Sequence, residues 1–232
     1  MKSKILILLP TLNESYHIFR LYKKILSLKL NFHFLFIDDG SIDGTWKIIK
    51  KIKKSNKNKV FVIRRQNRKG LGKAHKDGLL WAYKRKYFYL ITMDTDFAHN
   101  PKYIPQLIKR THKADLIVGS RYLKKESTPD WSLFRIFLSQ GAHLMSYLLF
   151  NHTFDSTNAF RCYNLKKINK NFISYCKSND YDFLFTSLTI LNLKKYKILQ
   201  FPMVIRGRVE GNSKMLFKHM CKSVYMMFNL FF

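Results

Sequence analysis

Short apolar runs alternate with longer mixed segments through the first half of the chain. Ile5–Leu9, Phe34–Ile37, Val60–Ile63, Tyr89–Met93 and Leu116–Val118 are rich in branched and aromatic residues, and polar or turn-forming residues bound them, which predicts strands. Between them, Tyr16–Leu28, Thr45–Lys54, Ala74–Lys86 and Tyr103–Thr111 carry apolar residues at helical spacing, with Pro101 and Pro105 suited to a helix start. Strand and helix in alternation predict an α/β fold: a Rossmann-like, mostly parallel sheet flanked by helices. Right-handed crossovers then put a ligand crevice at the carboxyl ends of the strands.

The texture changes near Trp131. Leu133–Phe150 is apolar at helical spacing, Leu165–Cys176 and Tyr181–Leu193 are further helix candidates, and Lys197–Ile205 reads as a strand. Met215–Phe232, drawn as a helix, gathers Phe217, Met220, Cys221, Val224, Phe228 and Phe231 on one side, with Lys218 and Lys222 on another. No repeat or low-complexity linker intervenes. The expectation is one domain over residues 1–214 and an amphipathic C-terminal segment over 215–232 that can touch a membrane surface.

Composition sharpens this picture. A chain of 232 residues with 47% hydrophobic content can bury a sizeable core, which excludes a disordered tail and a disulfide-stapled miniprotein. Lys+Arg 43 against Asp+Glu 14 gives a formal charge of +29, which calls for an anionic partner or reflects a Lys-rich composition. Cys162, Cys176 and Cys221 share no ligand spacing, so reduced thiols in a cytosolic compartment are expected. The N-terminal apolar run is too short for a signal peptide, and no stretch of about 18 uncharged apolar residues predicts a spanning helix.

Polar residues collect where strands should end. Pro10-Thr11-Leu12-Asn13-Glu14 follows the first, Asp38-Asp39-Gly40-Ser41 the second, and Asp94-Thr95-Asp96 the fourth. After the third comes a basic stretch, Arg65 to Lys73, whose Gly70 and Gly72 can bring backbone N–H groups close to phosphate. Asp94 and Asp96 flank one residue, so in extended geometry both carboxylates can face one hard cation, Mg²⁺ or Mn²⁺, bridging to a diphosphate; the alternative is two solvated loop acids. Asp38 or Asp39 would hold a base or ribose.

Those segments, followed by Gly119-Ser120-Arg121-Tyr122, Phe160-Arg161-Cys162-Tyr163 and Arg208-Val209-Glu210-Gly211-Asn212-Ser213-Lys214, resemble in order a family-2 inverting glycosyltransferase of GT-A fold. The resemblance runs from about residue 5 to 214 and is to the dolichyl- or polyprenyl-phosphate mannose synthase branch. It implies that Pro10, Asn13, Glu14, Asp38, Asp39, Lys73 and Asp94 bind the donor nucleotide and that Asp94 and Asp96 hold Mg²⁺ or Mn²⁺. It further implies that Arg121, Arg135, Arg208, Ser213 and Lys214 surround the acceptor phosphate, and that Asp96, Arg121, Arg208 and Lys214 carry catalysis. The implied reaction moves a hexose, mannose by default, from a nucleotide sugar, GDP-mannose first, to polyprenyl or dolichyl phosphate. The implied location is the cytoplasmic face of a membrane, peripherally bound, with a small membrane subunit as a possible partner.

A lipid phosphate is already ionised near neutral pH, so it needs no carboxylate base, and the Gln-x-x-Arg-Trp signature of processive synthases is missing. Three positions depart from the family pattern. Ala98 stands where a third polar ligand is usual, leaving the gap to His99 or water; Thr186 replaces a Glu; and Asp155–Arg161 has lost a Gly. The alternatives are UDP-glucose or UDP-GlcNAc as donor, a glycan acceptor, an inactive scaffold, or a nucleic-acid binder. The last leaves the acidic strand ends unexplained and has no reader motif, so no nucleic-acid partner is expected.

Overall fold

The computed structural model describes residues 5–66, 70–151 and 153–207. Seven strands form one sheet: β1 (Ile5–Thr11), β2 (Phe32–Asp38), β3 (Val60–Arg64), β4 (Tyr89–Thr92), β5 (Leu116–Ser120), β6 (Arg161–Asn164) and β7 (Ile198–Pro202). Their order is β3-β2-β1-β4-β6-β5-β7. All neighbours are parallel except β6, which runs antiparallel to both β4 and β5.

Seven α-helices accompany them among the described residues: α1 (Ser15–Leu26), α2 (Thr45–Ser55), α3 (Leu71–Lys84), α4 (Ile104–Lys109), α5 (Leu133–Phe150), α6 (Phe172–Tyr175) and α7 (Asp182–Leu193). Side-chain alternation along β1 divides the core in two. Ile5, Ile7 and Leu9 pack with Ile18, Leu21, Ile49 and Leu107 of α1, α2 and α4. Leu6 and Leu8 pack on the other face with Ala74, Leu79, Leu184 and Leu188 of α3 and α7. This buried, doubly covered sheet explains why its strands read as continuous apolar runs.

One expectation is corrected. Leu165–Cys176 is helical only over Phe172–Tyr175, because Asn164 and Asn169 turn their side-chain oxygens onto the amides of Lys166 (3.2 Å) and Asn171 (2.9 Å). Such local bonds compete with a helix. Arg161–Asn164 forms a strand that its residue types do not announce. The predicted helix over 215–232, with Cys221, lies outside the described residues.

Candidate active site

Asn13, Asp38, Asp94 and Arg121 stand at or just after the carboxyl ends of β1, β2, β4 and β5. Thr95 turns inward, its hydroxyl 3.4 Å from the Pro10 carbonyl, while Asp94 and Asp96 on either side remain partly exposed. One Asp96 oxygen accepts from the Ala98 amide at 3.1 Å. His99, buried, accepts the Asp94 amide at Nδ1 (3.0 Å), so this nitrogen serves the loop and is not offered as a ligand. Two carboxylates are thus what the described residues offer a hard cation, and no group of three or more His, Cys, Asp or Glu that could hold a metal occurs among them. Asp94 and Asp96 fit Mg²⁺ or Mn²⁺ by donor chemistry, since such ions keep several waters and complete their shell on substrate phosphates.

Asn13, Glu14 and Asp43 knit the β1–α1 loop to the β2–α2 loop. Asn13, in the left-handed region at φ 49°, takes the Ile42 amide on its side-chain oxygen (3.0 Å), and its own amide donates to Ser41 Oγ (2.9 Å). The Glu14 amide donates to Thr45 Oγ1 (2.8 Å) and the Ser15 amide to Asp43 (2.9 Å). Burial opposes charge on Asp43, but the bonds from Thr45 and Ser15 outweigh it and hold its carboxyl down at about 2.

Asp38 is fully buried at the end of β2, with one oxygen 3.7 Å from Arg64 Nε and the other without a partner among the described residues. Asp39 is committed: it faces Arg65 Nε at 3.0 Å and accepts the Gly70 amide at 3.0 Å. Lys73 pairs with Asp77 one turn along α3, and its amide donates to the Asn179 carbonyl (3.0 Å). The close approach that Gly70 and Gly72 allow is therefore to the Asn179–Asp180 backbone, where a Cβ on Gly72 would lie 2.5 Å from the Asp180 oxygen.

Arg121 follows β5 directly. Its amide and Nε donate to one oxygen of Asp155 (3.0 and 2.9 Å), while Nη2 donates to the other (2.7 Å) and to Thr157 Oγ1 (2.6 Å). Burial opposes the charge on Arg121, yet Asp155 overrides it, with smaller help from Tyr122 and Asp94, and raises its pKa further. Arg135 sits in the first turn of α5, where Ser132 caps the helix through the Arg135 amide (3.3 Å). Burial and the neighbouring Arg121 pull its pKa down, against the pull of Asp96. Asp94, Asp96, Arg121 and Arg135 therefore share one electrostatic neighbourhood. Arg208, Ser213 and Lys214 lie outside the described residues.

Sequence reasoning missed Asp155, Arg65 and Trp131. With only 14 acids in the chain, the signal for Asp155 was its scarcity; nothing in the sequence paired it with Arg121.

A mostly parallel sheet with one antiparallel strand, acids at its carboxyl edge and arginines facing them define an α/β enzyme of the GT-A type. The family model described as Glycosyl transferase family 2 matches residues 6–174, and the chain belongs to this family of glycosyltransferases. It is 29% identical over 212 residues to a polyprenol monophosphomannose synthase of Mycolicibacterium smegmatis, covering 90% of this chain and 80% of that protein. It is 27% identical over 215 residues to a dolichol-phosphate mannosyltransferase of Pyrococcus furiosus, covering 91% of this chain and 59% of that longer protein. In fold it is similar to glucosyl-3-phosphoglycerate synthase from Mycobacterium tuberculosis, solved with Mn²⁺, UDP and glucosyl-3-phosphoglycerate. The TM-score is 0.69 at 16% identity, over 99% of this chain and 80% of the other.

Proposed function

We propose that this enzyme transfers mannose from GDP-mannose, with inversion, to the phosphate of a polyprenyl or dolichyl lipid at the cytoplasmic face of a membrane. The observation that carries the reading is the placement of Asp94 and Asp96 just after β4 and of Arg121 just after β5, with Asp94 acting electrostatically on Arg121 and Asp96 on Arg135. An acid pair suits a cation on a departing diphosphate, and a guanidinium pair suits a second, incoming oxyanion. The names of the two mannosyl-transferring relatives support the same substrates.

Asp94 and Asp96 would hold Mg²⁺ or Mn²⁺, which when bound neutralises charge on the leaving nucleoside diphosphate. Arg121, fixed by Asp155, and Arg135 orient the acceptor phosphate in line with the anomeric carbon; Arg208, Ser213 and Lys214 join them in this reading. A phosphate monoester has a second pKa of about 6, so it attacks as an anion and no general base is required. Positioning and charge stabilisation supply the rate. Pro10, Asn13, Glu14, Asp38, Asp39 and Lys73 frame the donor nucleotide, Asn13 and Asp39 by holding the loops against one another.

Attachment to the bilayer is read from α5, which leaves Leu133, Phe134, Phe137, Leu144, Tyr147 and Leu148 exposed. No helix of the described residues is long and apolar enough to cross a membrane.

Purified protein given radiolabelled GDP-mannose, Mg²⁺ or Mn²⁺ and polyprenyl phosphate should label lipid, and Asp94→Ala or Asp96→Ala should cut the rate on the order of 100-fold. Labelling from UDP-glucose in place of GDP-mannose would move the donor. Folded, metal-binding protein that labels lipid from no nucleotide sugar would overturn the reading.

A further inference from the structure

Arg121 and Arg135 are held in two different ways. Arg121 gives Nε and Nη2 to Asp155 and Thr157, so much of its hydrogen-bonding capacity is used inside the chain. Arg135 makes no side-chain hydrogen bond or ion pair among the described residues; instead its guanidinium carbon lies 3.8 Å from the centroid of the Trp131 ring. The Arg121 guanidinium also lies over that ring, at 5.4 Å. A ring face attracts a cation without accepting its N–H bonds. Arg135 is thereby located with its donor fork making no hydrogen bond among the described residues.

The ring is itself fixed. Trp131 packs on the core cluster beneath the sheet, and its amide donates to the Thr128 carbonyl at 3.2 Å. Its indole N–H is buried with no partner among the described residues, an arrangement that costs stability. The ring thus makes no hydrogen bond among the described residues, and beyond the core cluster it meets two like charges. Arg121 disfavours charge on Arg135, and the aromatic ring that both guanidinium groups approach offsets that repulsion.

We propose that Trp131 is a positioning residue for oxyanion recognition: its ring holds Arg135 beside Arg121 so that both guanidinium groups meet the acceptor phosphate together. This rests on the reading that Arg135 meets that phosphate and deepens it by naming what poises the side chain. A residue acting in this way affects acceptor affinity and leaves donor affinity nearly unchanged.

Kinetics of Trp131→Leu and Trp131→Phe, with acceptor and donor varied separately, tests this. The Leu variant should raise the acceptor KM on the order of tenfold and the Phe variant by less, with donor KM near that of the wild type; because the ring also packs on the core cluster, the thermal midpoint falls while the fold is kept. Arg135→Ala should cost much less in the Leu background than alone, because the two changes remove one interaction. An acceptor KM within about twofold of wild type in both variants, donor and acceptor KM rising together, or additive double-mutant effects would each overturn the proposal. Wild-type protein that transfers nothing to lipid phosphate would instead sink the functional reading. Trp131 is then judged by calorimetric binding of farnesyl phosphate, which the Leu variant must weaken; equal binding, or none by the wild type, overturns it.

Discussion

Arg161 lies wholly inside the protein, and its guanidinium bonds go to neutral acceptors: Asn158 and Ser156 carbonyls (2.7 and 2.6 Å), the Leu184 carbonyl (2.8 Å), and the hydroxyls of Ser187 (3.0 Å) and Tyr163 (3.4 Å). These bonds tie the 155–158 loop to α7, and that loop carries Asp155 and Thr157, the partners of Arg121. A buried cation thus steadies a cation of the site. Beside it, His75 is fully buried, stacked on Phe183, with neither ring nitrogen bonded among the described residues. Burial, followed by the charges of Arg161 and His99, pushes its pKa from 6.5 down to about 3. Below pH 6.5 the unfolded chain takes up a proton that the folded one refuses, so stability falls with pH down to about 3. Between pH 7 and 5 this drop is about 2 kcal/mol. His75→Phe should remove that part of the dependence in urea unfolding; equal drops in both proteins would refute the assignment. Legibility at this scale was uneven. Asp94 and Asp96 stood out because acids are rare here, whereas the Arg121–Asp155 pair spans 34 residues and the Trp131 contact depends on where α5 begins.

Strands β1 to β5 were legible because a doubly covered sheet demands apolar residues at nearly every position. The helix over Leu133–Phe150 was legible to the residue. Strand β6 was not, since it opens with Arg161 and is polar at both ends, and its burial depends on acceptors supplied by α7 and the preceding loop. The N-terminus of α3 shows a related limit. Its glycines signalled a close backbone approach, but the sequence could not say that the approaching group was the Asn179–Asp180 backbone. Gly72→Ala would put a Cβ 2.5 Å from the Asp180 oxygen and 2.7 Å from Phe183 Cβ, and should cost about 1–3 kcal/mol in denaturant unfolding. Gly141→Ala, on α5 with nothing within 4 Å of the added carbon, should instead be neutral or stabilise by about 0.5–1 kcal/mol. Equal effects of the two substitutions would contradict the packing described for α3.

Across the whole molecule, the charge of +29 and the exposed apolar side chains of α5 describe a surface suited to an anionic bilayer. Anionic liposomes should carry the protein in flotation at low salt, with part of the binding lost on adding salt and the remainder lost in a Phe134→Glu, Phe137→Glu double variant. Undiminished binding by that variant would remove α5 from the contact. In the proposed reaction a lipid phosphate oxygen displaces the nucleoside diphosphate with inversion. The most direct test is the structure of the product, by mass spectrometry and NMR after reaction of an α-linked nucleotide sugar with polyprenyl phosphate. A single-phosphate lipid bearing a β-linked, acid-labile sugar is the predicted result; an α-linked sugar, a sugar attached to any other acceptor, or a lipid carrying two phosphates would contradict the account.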